Sequence, residues 1–347
     1  MYSFHRRALF ISLLLFISMT GAGMLRSHAQ QKQTSQQTQD EEVVRVETDV
    51  TNILFTAIDK DRHFVTTLQK DDVRVYENDA PQQIFTFERE TDLPLSLAIL
   101  IDTSWSQEDT LPDEKAAARA FVDAVIRPAK DQAAIVSFTG KPTIEQALTG
   151  NPASLRKGIE QVVIIHPREP EDGGAVATPE ERAAPDYDDS IGYTNIWDSL
   201  SFASNEILSQ TPDRTRRAVI LLTDGDDTNS HLKKEEAIER AIKANVVVYS
   251  IGIVGNQGDI EKGTLRKISE QTGGRAFFPE DEKDLSAAFK QIEQELRSQY
   301  LLAYTPSNSA RDASYRRIRL DIANPDLRKR KLRLLYRQGY YARQAAK

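Results

Sequence analysis

LSLAILID, residues 95 to 102, is apolar throughout except for Ser96 and the closing Asp102. A nearly continuous apolar run of this length is what a central parallel strand requires, because helices cover both of its faces. Three runs of the same kind follow: AAIVSF (133 to 138), AVILLTD (218 to 224) and VVVYSIGI (246 to 253). Between them apolar residues return every three or four positions, as on one face of a helix. Ala116, Ala120, Phe121, Ala124 and Val125 do so in one segment, and Ile196, Leu200, Ala203 and Ile207 in another. Further helices are predicted near Lys234 to Lys243, Glu261 to Gln271 and Glu282 to Leu296. Strands alternating with helices define an α/β domain, doubly wound around a mostly parallel sheet.

On both sides of this core the pattern changes to short alternating strands. Val44 and Val46, ILFTAI (53 to 58), VRVYEND (73 to 79) and QQIFTFE precede it, with turn residues Asp59-Lys60-Asp61 between. YLLAYTP (300 to 306), YRRIRLDI (315 to 322), KLRLLY (331 to 336) and Gln338 to Tyr341 follow it. Neither flank is long enough to bury a core of its own. The expected organisation is therefore a β-rich flank over 43–92, the α/β domain over 93–298, and a second β-rich flank over 299–347. The two flanks are expected to pair into one small β-sandwich in which the α/β domain is inserted.

The N-terminus reads as an export signal. His5, Arg6 and Arg7 form a positive start, Ala8 to Met19 an apolar run, and Ser27-His28-Ala29 a small-x-Ala cleavage site. The apolar run is short for a membrane span, so residues 1–29 are expected to be removed, an uncleaved anchor being the alternative. The Gln-rich stretch 30–42 (QQKQTSQQTQDEE) has no apolar period and fits a linker. The expected location is periplasmic or secreted.

Of the 347 residues none is cysteine. That excludes a disulfide scaffold, a Cys-ligated zinc site, a thiol nucleophile and a lipid-modified N-terminal cysteine. Asp plus Glu number 52 against 45 Lys plus Arg, a formal charge of −7 that argues against nucleic acid as a partner. The chemistry must come from oxygen and nitrogen groups.

The first apolar run ends in Asp102-Thr103-Ser104-Trp105-Ser106, the pattern DxSxS. In extended backbone residues two apart project to the same side, so one carboxylate and two hydroxyls converge at the carboxyl end of the strand. Open α/β sheets place their ligands at that edge. Thr194, before the helix that contains Trp197 and Leu200, and Asp224, in Thr223-Asp224-Gly225, stand at matching places. Two carboxylates and three hydroxyls form a hard-oxygen set that suits Mg²⁺, or Ca²⁺ and Mn²⁺, rather than zinc or copper. Each residue alone is equally what a turn or a helix cap uses; their joint order at strand ends carries the metal reading.

DTSWS, Thr194 within GYTNIWDSL, and LLTDGDD resemble the metal-ion-dependent adhesion site of von Willebrand factor type A domains. TGGRAFF (272 to 278) and LRSQYLLAYTP (296 to 306) extend the resemblance to exported bacterial proteins of that kind, over about Val43 to Tyr341. The resemblance implies a Rossmann-like domain with the metal at the top of the sheet. Ser104 and Ser106 would be direct ligands, Thr194 direct or water-bridged, and Asp102 and Asp224 direct or acting through water. A protein partner presenting an Asp or Glu carboxylate would complete the coordination. The expected function is metal-dependent protein binding, with a structural assembly module as the alternative.

GxSxG, a P-loop and HExxH are absent, and the five histidines include no pair four apart. DxSxS also lacks the second carboxylate that an aspartyl-phosphate phosphatase needs as its general acid. No catalytic role is therefore expected, a metal-dependent hydrolase being the remote alternative. The Pro- and acid-rich stretch 166–191 reads as a long loop leading to Thr194, and Asp226 and Asp227 as an exposed acidic turn. The basic series Arg311 to Arg337 reads as the solvated face of strands, and an anionic cell envelope is the surface such a face would fit.

Overall fold

The computed structural model describes residues 49–89, 93–166, 193–253 and 260–345. The export segment, the linker and nearly all of the 166–191 stretch lie outside them. In chain order the elements are β1 (Thr51–Ile58), β2 (Val73–Glu77), β3 (Ala80–Gln82), β4 (Ile84–Arg89), β5 (Leu95–Asp102), α1 (Leu111–Val125), β6 (Gln132–Thr139), β7 (Lys141–Thr149) and α2 (Pro152–Gln161). They continue with α3 (Ile196–Phe202), β8 (Arg216–Thr223), α4 (Lys234–Lys243), β9 (Val246–Gly252), α5 (Lys262–Thr272), β10 (Ala276–Phe277) and α6 (Glu282–Leu296). Last come β11 (Tyr300–Tyr304), β12 (Tyr315–Ile322), α7 (Pro325–Lys329), β13 (Arg333–Tyr336) and β14 (Gly339–Tyr341).

The central sheet has the order β10-β9-β8-β5-β6-β7, parallel except for the antiparallel edge strand β7. All eight residues of β5 are buried. The strand's two-residue period divides them between two cores. Leu95, Leu97, Ile99 and Ile101 face Phe121 and Val122 of α1 and Phe289 and Ile292 of α6. Ala98 and Leu100 face Leu200 of α3, Ile238 of α4 and Ile268 of α5. The helix after β5 thus lies on one face and the helix after β8 on the other. β5 and β8 are neighbours, so the sheet's topological switch falls between their carboxyl ends, where a crevice opens.

The flanks form two four-stranded antiparallel sheets, β13-β1-β11-β4 and β14-β12-β2-β3. Each mixes strands from both ends of the chain: β1 pairs with β11 and β13, and β2 with β12. Ile53, Phe55, Val75, Tyr304 and Leu320 share a core between the sheets. This is the α/β fold with added antiparallel sheets expected from the sequence. Gly273 joins the two parts, since it ends α5 at φ +94°, where a Cβ would lie 2.6 Å from the amide nitrogen of Arg337.

Three details differ from the sequence reading. The buried face of α1 is Leu111, Glu114, Ala117, Ala118, Phe121, Val122 and Val125, whereas Ala120 and Ala124 are exposed. Alanine carries too weak an apolar signal to fix the phase of a helix. Arg316 is not solvated: it falls on the inward side of β12 and pairs with the buried Glu77 at 3.2 Å. Strand β7 follows no clean period, and helix α2, with Leu155, Ile159 and the C-capping Val162 buried at helical spacing, is short; neither was foreseen. Helix α2 is capped by Asn151, whose side chain accepts from the amide of Ala153 at 2.9 Å.

Candidate metal centre

The switch-point crevice holds the oxygen-bearing residues. Asp102 ends β5 fully buried, its carboxylate fixed from two sides. Oδ1 accepts the amide N–H of Ser104 at 2.9 Å and Oδ2 accepts the Thr223 hydroxyl at 2.6 Å. The chain then passes through extended Ser104 into a 3-10 turn, Trp105–Gln107. This turn brings the Ser104 and Ser106 hydroxyls to 3.1 Å from one another. Ser106 donates to Asp224 Oδ2 at 2.8 Å, and Gln107 Nε2 donates to the same oxygen at 3.2 Å. The other oxygen of Asp224 accepts the amide N–H of Asp226 at 3.0 Å.

Thr194 is buried at the same edge and is tied to it through its backbone. Its carbonyl accepts from the amides of Thr228 at 3.0 Å and Asn229 at 3.1 Å, and its own N–H donates to the Thr228 hydroxyl at 2.8 Å. Among the described residues no hydrogen bond joins the Thr194 hydroxyl to the other four. Asp227 is no exposed acid: it is half-buried and caps α3, accepting the N–H of Ile196 at 2.7 Å and the hydroxyl of Ser230 at 2.6 Å. The loop after β8 therefore fixes both Asp224 and the start of the helix that follows Thr194.

The electrostatics of this pocket are unbalanced. Burial pushes the Asp102 carboxyl up to about 7, against the hydrogen bonds from Thr223 and Ser104, and the charge of Asp224 adds to the rise. Glu114, on the buried face of α1, is pushed up to about 8 by burial, opposed by the Thr110 hydroxyl and reinforced by Asp102 and Asp224. Its Oε1 accepts from Thr110 at 2.8 Å, while Oε2 has no partner. Among the described residues none of these three acids forms an ion pair. Buried carboxylates without a cationic partner are costly, and a divalent cation bound at their oxygens removes that cost. The donor set, hydroxyls and carboxylates without thiolate or imidazole, fits such a hard ion.

Thr223, Gln107 and Glu114 belong to this network and were not foreseen. The usable signal was Glu114, a charge three residues after Leu111 and seven before Phe121 on an apolar stripe. Trp105 is 51% exposed, so it is not a core residue. Asp59, Asp61 and His63 also bring ligand atoms within 4.8 Å of one another, but Asp59 Oδ1 is already occupied in closing a turn, accepting the amides of Asp61 and His63, each at 2.9 Å.

The doubly wound domain thus carries its cluster of oxygen donors at the carboxyl edge of its sheet, where open α/β sheets place their ligands. Two family models described as von Willebrand factor type A domain match, one over residues 97–226 and one over 186–291. Together they span more than half of the chain, which belongs to the von Willebrand factor type A family. Among solved structures, a von Willebrand factor type A protein from Catenulispora acidiphila is 14% identical, with 87% of this chain and 75% of that one covered at a TM-score of 0.47. Proximal thread matrix protein 1 from the mussel byssus is 20% identical over 64% of this chain, at a TM-score of 0.46. The match covers 51% of the mussel protein, about half its length; that protein has also been solved with a zinc-occupied MIDAS motif. BatB from Bacteroides thetaiotaomicron is 16% identical, with 59% of this chain and 100% of that one covered at a TM-score of 0.43. No curated protein matches the sequence.

Proposed function

We propose that this chain binds a protein partner through a divalent cation, with Mg²⁺ as the physiological ion. Asp102, Ser104, Ser106, Thr194 and Asp224 would hold the cation, and a partner Asp or Glu carboxylate would take its open position. The observation that carries this reading is the junction of Ser104, Ser106 and Asp224 by hydrogen bonds of 3.1 and 2.8 Å, next to the buried Asp102, which accepts the Ser104 amide and has no ion-pair partner among the described residues. When bound, the ion supplies positive charge and a Lewis-acid position for an oxygen ligand. The protein orients the donors: Thr223 and the Ser104 amide hold Asp102, while Gln107 and the Asp226 amide hold Asp224. This is a binding role without catalysis.

The test pairs metal with partner. In Mg²⁺ the chain retains a partner from an extract and its melting temperature rises; EDTA reverses both, and Asp102→Ala abolishes retention while the variant stays folded. Retention that survives EDTA and Asp102→Ala overturns the metal bridge. A large Mg²⁺-dependent rise in melting temperature with no retained partner favours the assembly-module alternative.

We also propose that the chain is exported by residues 1–29. Among the described residues no helix is long and apolar enough to cross a membrane. N-terminal sequencing of the chain from a producing bacterium is expected to start at Gln30 in the fraction outside the cytoplasm. A chain found only in the cytoplasm and starting at Met1 overturns export.

A further inference from the structure

The edge of the sheet that carries the proposed ion also carries exposed aromatic surface. Trp105 stands between Ser104 and Ser106 in the chain and is 51% exposed; Tyr193 immediately precedes Thr194 and is 53% exposed. Consecutive Cα atoms are about 3.8 Å apart, so the backbone of each ring is next to that of a proposed ligand. Val163, also exposed, lies two residues before Ile165, whose amide donates to the carbonyl of Thr103 at 3.1 Å. Three of the seven large apolar side chains exposed among the described residues thus gather at one edge. Clustered exposed apolar surface of this kind marks an interaction site.

The Trp105 ring is held in place, and Tyr193 is anchored through its backbone. Trp105 Nε1 donates to Glu108 Oε2 at 3.0 Å, and Glu108 also lies 3.7 Å from His166. The carbonyl of Tyr193 accepts the amide of Gly140, at the end of β6, at 2.7 Å. Rigid aromatic side chains lose little entropy on contact and are over-represented among the residues that dominate interfaces. The remaining charge at this edge is largely acidic, with Glu108 and Asp226 exposed above Asp102 and Asp224. A bound cation gives this edge a position that attracts a carboxylate.

We infer that Trp105 and Tyr193 form an aromatic rim that selects the partner: a protein segment that carries a large apolar or aromatic side chain two residues from its metal-binding Asp or Glu. This rests on the carboxylate-bridge reading above. The carboxylate completes the ion's coordination while a side chain two residues away, which an extended segment projects to the same side, covers the rim. Neither surface alone provides both charge and apolar complementarity.

The full chain is titrated by calorimetry with two acetylated, amidated pentapeptides, Phe-Gly-Asp-Gly-Phe and Ser-Gly-Asp-Gly-Ser, in Mg²⁺ and in EDTA. The expected result is binding only in Mg²⁺, with the phenylalanine peptide roughly tenfold tighter. Trp105→Ser and Tyr193→Ser each reduce that ratio towards one, and Trp105→Phe restores it. Mn²⁺ spectroscopy on each variant shows how much ion it holds, and ratios are compared at saturating metal. Equal affinities for the two peptides in wild type, or an unchanged ratio in both serine variants, overturn the rim. Absence of binding by either peptide in Mg²⁺, or binding of both in EDTA, overturns the bridge and the rim with it.

Discussion

Two buried acids illustrate how differently single residues can be used. Asp102 lies at the carboxyl edge of the sheet with no cationic partner among the described residues, whereas Glu295 in α6 is compensated within the fold. Glu295 is 1% exposed, accepts from Tyr249 at 3.1 Å and lies 3.4 Å from Arg275. Burial nevertheless raises its carboxyl from 4.5 to about 7, against the Arg275 charge and the Tyr249 hydrogen bond. Between these two values the folded chain keeps a proton that the unfolded chain has released. Stability from this group is therefore full below the unfolded value and is lost as pH rises through the folded one, at up to about 1.4 kcal/mol per pH unit. Glu295→Gln removes the dependence, so urea melts should show the variant gaining on wild type from pH 5 to pH 7.5. A difference that stays flat over that range refutes the assignment. Asp102, Ser104, Ser106 and Asp224, which hydrogen bonds bring together, were legible in the sequence because polar side chains at the ends of apolar runs stand out. Thr223, Gln107 and Glu114 were hidden, because their roles depend on which atoms meet across elements, and sequence spacing does not report that.

Strands differ in what they tolerate according to how many neighbours cover them. Ile99 in β5 pairs with Ile135 of β6 and Ile220 of β8 and is fully buried. Ile144 in the edge strand β7 is 45% exposed. Truncating a buried Ile costs about 2–5 kcal/mol, whereas an exposed position costs within about 0.5 kcal/mol. Ile99→Ala should therefore lower the denaturation midpoint strongly, while Ile144→Ala leaves it nearly unchanged; equal effects would contradict the described burial. The same contrast explains which elements could be read. Buried parallel strands are apolar on both faces and visible as runs, as in 95–102 and 218–223. In β7, buried and exposed positions follow no period, since one edge meets solvent and the pairing with β6 shifts register near Ile135. Arg316 was misread for a related reason. Alternation places it on the inward side of β12. The buried Glu77, to which Tyr304 and Tyr340 donate at 2.8 Å each, together with the carbonyls of Asn308 and Ala310, which accept from the Arg316 guanidinium, makes that position tenable.

For the whole chain, the placement of the cores determines which parts depend on which. Among the described residues the core between the two flank sheets contains none from 93–298, while the two cores of the central sheet lie almost wholly within that range, Tyr340 and Tyr341 packing against one of them from outside. Strand β1 has both of its partners, β11 and β13, in the C-terminal flank, and β4 pairs with β11. A chain ending at residue 298 keeps β1, β2 and β4 but strips each of its C-terminal partner, leaving strand edges and apolar faces open to aggregation. A fragment of residues 93–298 retains all six strands of the central sheet, the helices on both of its faces and all five oxygen residues. Its main losses are the Arg337 contacts with Asn245 and Gly273 and the packing of Tyr340 and Tyr341. The shorter fragment is therefore expected to be the better folded: 93–298 should melt cooperatively and bind Mn²⁺ with the affinity of the full chain, while 43–298 aggregates. If 43–298 instead melts cooperatively and stays monomeric, the flanks do not depend on each other, and the pairing of β1 with β11 and β13 is not what holds the sandwich together.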